Sequence, residues 1–404
     1  MRPSADTRAD RDDVVAMLAR SFDQVVEWVV AHRYRAYEPA DGNASALFPL
    51  TQGRIFPMRL LQQAVLRSPF NIRPLLGIAP HESAIARGYF ALGFLERYRV
   101  TGDERLRSEA VACLEWLLEN RAVGYDGYGW GDPYEYATRG GRRPLGEPIL
   151  VWTAFIGHAF LDAYEILDDT AYIDAARSIG RWVLQLPREC TSNGDCLSYA
   201  AYTQSFIHNA NIVGASFLAR LGTHAADQNA LRVARSAVEY TCSRQRPDGS
   251  WFYAEAPAYH WIDNFHTGYN LAALDSYQRV TGDSTFESAL LSGARFFVDH
   301  FFEADGRPKY FHNRTQPVDI QCAAQAIETL VRLSSRLPRA FDRSLDVARW
   351  TVTHMQAADG HFCYRHLGWK RVTTPMLHWG QGTMVRALAE LLSQLTGSVK
   401  DLPC

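Results

Sequence analysis

The chain has no CxxC pair. Its seven cysteines, Cys113, Cys190, Cys196, Cys242, Cys322, Cys363 and Cys404, are scattered and odd in number, which argues against a zinc ribbon or a disulfide framework. An excess of either charge is also missing: 42 Lys and Arg stand against 44 Asp and Glu, so no basic field points to nucleic acid. The N-terminus, Met1-Arg-Pro-Ser-Ala-Asp-Thr, is polar and lacks the apolar stretch of a leader peptide. No run approaches the roughly 18 consecutive apolar residues of a membrane span. These absences predict a protein of the reducing cytoplasm that does not span a membrane. No GxGxxG follows a strand, no βαβ alternation is visible and no GxSxG elbow occurs. His312, His354, His361 and His366 lack the spacing of zinc ligands. Neither a cofactor nor a metal is expected.

What the chain does have is repetition. A Gly-rich aromatic turn, a polar cluster and an amphipathic helix follow one another six times, at intervals of roughly 55 to 65 residues, the mark of a repeat architecture. Inner helices are predicted to open near residues 82, 147, 207, 263, 319 and 378, and outer ones over 104–120, 170–185, 228–244, 284–302 and 340–357. A first helix over 11–33 precedes them, and Thr101-Gly102-Asp103 and Thr281-Gly282-Asp283 supply caps. Helical pairs that bend back on themselves close into a ring. The predicted fold is therefore all-α, an (α/α)6 toroid with short β-hairpins in its loops, formed as one domain over 1–404. Residues 34–78 form an irregular entry with one short helix (58–66), long enough to fold over the mouth as a lid.

Asp-Gly turns such as Gln245–Trp251 and Gln356–Phe362 read as closures of repeats, with Asp-Gly giving the positive-φ corner. The polar clusters before the inner helices ask for more than capping. One holds Trp261, Asp263, Asn264 and His266; others hold Tyr128, Trp130 and Asp132, then Tyr199, His208, Asn209 and Asn211, then Arg314, Asp319 and Gln321, then His378, Trp379 and Gln381. In a closed ring all of them face one mouth. Asp132, Tyr199, His208, Asp263, His266 and Asp319 are candidates for general acid and base. The aromatic and amide residues, with Arg314 and with Arg73 of the entry segment, are candidates for holding a sugar. Two carboxylates at the right separation would serve glycoside hydrolysis. A His with a Tyr would instead abstract a proton beside a uronate carboxylate, neutralised by Arg314.

The strings Ser68-Pro-Phe-Asn71, Gly127-Tyr-Gly-Trp-Gly-Asp-Pro133, His208-Asn-Ala-Asn211, Trp261-Ile-Asp-Asn-Phe-His-Thr-Gly268, Gly306-Arg-Pro-Lys-Tyr310 and Trp379-Gly-Gln381 resemble the VpsJ-type polysaccharide biosynthesis family. The likeness runs from about Tyr34 to Leu392. It implies an α/α toroid, shared with prenyl cyclases, and a role in assembling or tailoring a surface glycan. The expected partner is thus a saccharide or glycan precursor. The expected activity is epimerase- or isomerase-type proton transfer on a hexose or hexuronate unit, with hydrolysis or lyase chemistry as the alternative on the same fold. An isoprenoid cyclase fits the polarity of the mouth residues poorly. A non-catalytic glycan-binding subunit remains a third class.

Overall fold

The computed structural model describes residues 5–138, 141–202 and 206–397; Cys404 lies outside them. Six outer helices are α1 (Ala5–Ala31), α4 (Glu104–Glu119), α6 (Thr170–Gln185), α8 (Gln228–Ser243), α10 (Glu287–His300) and α12 (Arg339–Met355). Six inner ones are α3 (Ala84–Thr101), α5 (Leu150–Leu167), α7 (His208–Ala225), α9 (Asn264–Thr281), α11 (Ile320–Leu333) and α13 (Thr383–Thr396). Each inner helix packs on the next, and α13 closes on α3, so the row is a ring. The remaining helix, α2 (Ile55–Arg67), belongs to the entry segment. This is the expected (α/α)6 toroid. The sixth inner helix starts later than its pattern suggests because Leu377–Gly382 forms a wider π turn ahead of it.

Inner helices touch neighbours on two sides and an outer helix on a third, so they are apolar nearly all round. In α7 the residues from His208 to Ala219 are all buried. α5 has the length and hydropathy of a membrane span, a point the run-length reading passed over, but it sits inside the ring and most of it is buried. Outer helices bury one stripe, as Ala230, Val233, Ala234, Ala237 and Val238 do in α8.

The Asp-Gly turns show why they need glycine. Gly249 (φ 89°) lies so close to α10 that a Cβ would meet the Ser292 carbonyl oxygen at 2.6 Å. Gly360 (φ 99°) rests in the same way on the Gln24 carbonyl of α1. Each turn thus docks on the next outer helix, and the last docks on the first.

A belt of short β-bridges knits the connections that lead into the inner helices. Ile149 pairs with Ala200, Ile207 with Ala254, Asp263 with Phe311, Asp319 with Arg365, and Met376 with Tyr37. Every link joins one repeat to its successor. The Ser250–Tyr253 and Lys309–His312 segments contribute no regular strand, whereas Cys363–His366 does. Two further hairpins pair Tyr136–Ala137 with Arg142–Arg143 and Arg188–Thr191 with Gly194–Leu197, the second turning at Asn193-Gly194. The entry segment is pinned internally by a buried Arg73–Asp41 pair (2.8 Å) and laterally by Gln62, whose amide oxygen accepts from Asn43 and from the Ala137 N–H.

Candidate functional site

The inner helices are parallel, so their N-termini and the polar clusters meet at one mouth. Asp263 precedes α9 and caps it, accepting from the His266 N–H at 2.9 Å. Its second oxygen accepts from the Trp261 indole at 2.9 Å and lies 2.7 Å from His266 Nδ1. That contact keeps the ring proton on Nδ1 and leaves Nε2 as the basic nitrogen. Asp263 is thus the group that orients the His266 ring.

A second imidazole stands against a carboxylate across the ring closure, in close contact but without the hydrogen-bond geometry of the first. His378 Nδ1 lies 2.5 Å from Glu38 Oε2, and its backbone N–H donates to Glu38 Oε1 at 3.0 Å. Glu38 is fully buried, and the two rings are only slightly open, at 19% for the His266 side chain and 11% for that of His378. An aromatic arc joins them. His266 packs on Tyr253 and Phe265, Phe265 on Trp379, and Trp379 on His378, whose far side meets Trp152. Asp132 feels the charges of both His378 and Glu38. The mouth is one electrostatic unit.

The remaining carboxylates are committed to cations. Asp319 accepts from the Gln321 N–H, from the Trp379 indole at 2.7 Å and from Arg365 at 2.6 Å. Asp132 is paired with Arg143 and is buried, which raises its carboxyl above the usual range against the pull of that guanidinium. Arg143 also lies over the Tyr136 ring (4.4 Å) and the Tyr199 ring (5.7 Å). Burial pushes the Tyr136 phenol up to about 12 and raises that of Tyr199 too. Burial thus keeps the Tyr199 phenol protonated at neutral pH.

Other sequence candidates divide into two groups. His208 forms a third imidazole–carboxylate contact, Nε2 to Glu255 at 2.8 Å, but is buried against Tyr240. Asn264 is buried with no protein partner for either amide atom, and Asn209 has none for its oxygen. The second group is spent on the frame, which corrects the expected binding roles. Trp130 donates to the Leu117 carbonyl in the outer wall, and Tyr128 lies under Arg121. Asn211 is held by Leu197, Ala237 and Thr241. Gln381 staples Phe362, and Arg73 is consumed by Asp41. Gln321 donates to the Tyr269 hydroxyl below the mouth. Arg314 is exposed over Phe311, whereas Arg143 is buried at the mouth and Arg365 is only 17% exposed there. Glu38, Arg143, Arg365 and Trp152 were not singled out from the sequence. The one Asp-x-Asp-Asp run, Asp10–Asp13, lies at the start of α1, with Asp12 and Asp13 exposed, and gives a cyclase no acidic site in the ring.

Among the described residues the carboxylates at this mouth are closed in: Asp132, Asp263 and Asp319 are at most 3% exposed. A cavity of about 820 Å³ opens at the other end, among the C-terminal turns of the inner helices. Tyr89, Tyr269 and Phe155 pack together across the axis between the two ends. The lining of this cavity is laced by ion pairs between neighbouring helices, Arg220 to Asp162 and Glu165, and Arg332 to Glu390. Its imidazole, His158, is made a weak base by burial and then by Arg220. Such pairing reads as closure of the ring. It carries a pH signature. Burial raises the Glu165 carboxyl, but hydrogen bonds from His224 and Arg220 outweigh it and bring it down to about 2. A depressed pKa stabilises the fold above the unfolded value of 4.5, and that contribution disappears as pH falls through about 2. Urea midpoints of wild type and Glu165→Gln should therefore differ at pH 6 and converge toward pH 2.

No protein-family model matches the chain, and no curated protein matches its sequence. Solved structures do. The cellobiose 2-epimerase from Bacillus thermoamylovorans aligns with a TM-score of 0.62 at 12% identity, over 78% of this chain and 90% of that one. An unsaturated glucuronyl hydrolase specific for heparin aligns at 0.63 and 13%, over 96% and 100%. A family 76 α-mannanase from Bacteroides thetaiotaomicron aligns at 0.59 and 12%, over 77% and 86%. At these identities the likeness is one of fold, an α/α toroid.

Proposed function

We propose that this protein is a carbohydrate-active enzyme that moves a proton at a carbon beside a carbonyl or carboxyl group of a hexose or hexuronate unit, as an epimerase or isomerase does. One observation carries the reading: two imidazoles, His266 and His378, each backed by a buried carboxylate, at the two ends of one aromatic arc. One Nε2 takes the carbon-bound proton, the electron pair passes to the neighbouring oxygen as an enediolate, and the other imidazolium returns a proton to the carbon. Tyr199, kept protonated by burial, is a donor for the enolate oxygen. Trp379 and Trp261, fixed by Asp319 and Asp263, supply ring faces for the sugar. Several α/α toroids of similar shape are sugar epimerases, isomerases or hydrolases by their names, which supports a saccharide substrate. The resemblance to VpsJ-type proteins supports a substrate drawn from surface-glycan assembly.

Glycoside hydrolysis is the second reading, favoured by the raised carboxyl of Asp132, a property suited to a general acid. The test is NMR of solvent deuterium uptake, with the protein incubated in D2O with hexoses, hexuronates and disaccharides. Deuterium at a ring carbon is expected. Release of a reducing end without exchange would replace proton transfer by hydrolysis, and saccharide binding without either would leave a binding subunit.

A further inference from the structure

Exposed apolar side chains are concentrated on one face. Among the described residues thirteen large hydrophobics are exposed, and twelve of them lie on connections that lead from an outer to an inner helix, the face that carries the mouth. Most belong to the entry segment: Leu50 is 78% exposed, Phe56 79% and Leu75 86%, with Leu47, Ile55 and Leu60 beside them. Trp369, at the tip of the last hairpin, is 73% exposed, and its neighbour Lys370 sits 3.4 Å over the ring of Phe70. Two separate parts of the chain therefore contribute to the patch.

Charge on this patch has one sign. Residues 42–81 contain Arg54, Arg59, Arg67 and Arg73 and no Asp or Glu, in a chain with 44 acids in 404 residues. Arg73 is consumed by Asp41, but Arg54, Arg59 and Arg67 enter no ion pair among the described residues. Around Trp369 the residues from Gly360 to Ala389 are likewise free of acids. Acids are exposed elsewhere on the mouth face, Asp126, Asp248 and Asp305 among them, so the basic character belongs to the entry segment and the last hairpin alone. The connections of the opposite face carry Asp103, Asp168, Asp169, Asp227 and Asp283, and none of the exposed large hydrophobics.

We infer that the side of the mouth face formed by the entry segment and the last hairpin docks on the surface of a bilayer containing anionic phospholipid. Leu50, Phe56, Leu75 and Trp369 would enter the headgroup boundary, and Arg54, Arg59, Arg67 and Lys370 would meet lipid phosphates, the combination that holds interfacial proteins. A second copy of the chain is a poorer occupant, because a two-fold contact would set the same unpaired arginines against each other. The inference goes beyond the catalytic reading and does not depend on it, since vesicle binding is measured with no saccharide present.

The experiment is sedimentation of the full chain with phosphatidylcholine vesicles containing or lacking phosphatidylglycerol, at low and high salt. Binding to the phosphatidylglycerol vesicles that weakens with salt is expected. The variant Leu50→Ser/Phe56→Ser/Leu75→Ser/Trp369→Ser should lose it with an unchanged melting temperature. Arg54→Glu/Arg59→Glu/Arg67→Glu should lower the partition coefficient at least about a hundredfold, at roughly fivefold for each cation removed. This second variant reads the proposal even if the first fails to fold. Wild-type protein that ignores both vesicle types would overturn it. So would binding that survives both variants, or a dimer that the serine variant abolishes in place of vesicle binding.

Discussion

His266→Gln should slow substrate turnover by about a hundred- to ten-thousand-fold, the usual contribution of a positioned general base, with little change in stability. Its ring is partly open and makes no bond that bridges repeats, so the frame does not depend on it. His378→Gln should cost a similar factor, but the two losses differ in kind. With two bases, each epimer gives its proton to a different imidazole. Loss of one should abolish deuterium wash-in from one epimer while the other still exchanges without inverting. NMR of the two epimers separately, with each variant, reads this directly. Equal and complete loss of exchange from both epimers in both variants would mean that the imidazoles act as one group and would sink the two-base scheme. Asp263→Asn and Glu38→Gln keep the size of the orienting groups and weaken their hold on the imidazole. They should reduce turnover less than loss of the ring, with a shifted pH profile.

Asp319→Ala should destabilise the protein by about 3–5 kcal/mol, the cost of breaking a buried pair and stranding its partner. The carboxylate is fully buried and accepts from a backbone N–H, an indole and a guanidinium at once. Its removal leaves Arg365 without a counter-charge in the belt that joins the fifth repeat to the sixth. Chemical denaturation reads the loss. Arg365→Met in the Asp319→Ala background should recover part of it, since no charge is then stranded; no recovery would show that the cap and the indole carry the effect. Because Trp379 is anchored on the same oxygen as the helix cap, saccharide affinity should fall in both variants.

The ring was legible because its signals are local. A Gly after each Asp in a turn, a Thr-Gly-Asp between helices and an Asp before α9 are each decided within a few residues. The catalytic assignment was less so. His378 stood out in sequence, but its partner Glu38 lies 340 positions earlier and is brought to it only by closure of the ring. Asn209 and Asn211 looked alike, yet two helical positions differ by about 200° in direction. Asn211 consequently faces α8 and is spent on Ala237 and Thr241, while Asn209 has an oxygen to spare. Trp130 was misread for a related reason: an aromatic residue in a Gly-rich loop gives no sign of whether it points to the axis or to the wall. The apolar entry segment was read as irregular because sequence does not reveal which of its apolar side chains find a partner. Val65 and Met58 do, and Leu50 and Leu75 do not.

Tyr37 and Met376 join the first repeat to the last, and on the outer wall Arg11 donates to the Leu395 carbonyl at 2.9 Å. The order of the six units is therefore cyclic in space although it is linear along the chain. A polypeptide opened between Asp168 and Asp169, with α13 linked to α1, would visit the same neighbours in the same sequence. No unit holds a privileged place at the head of the cycle.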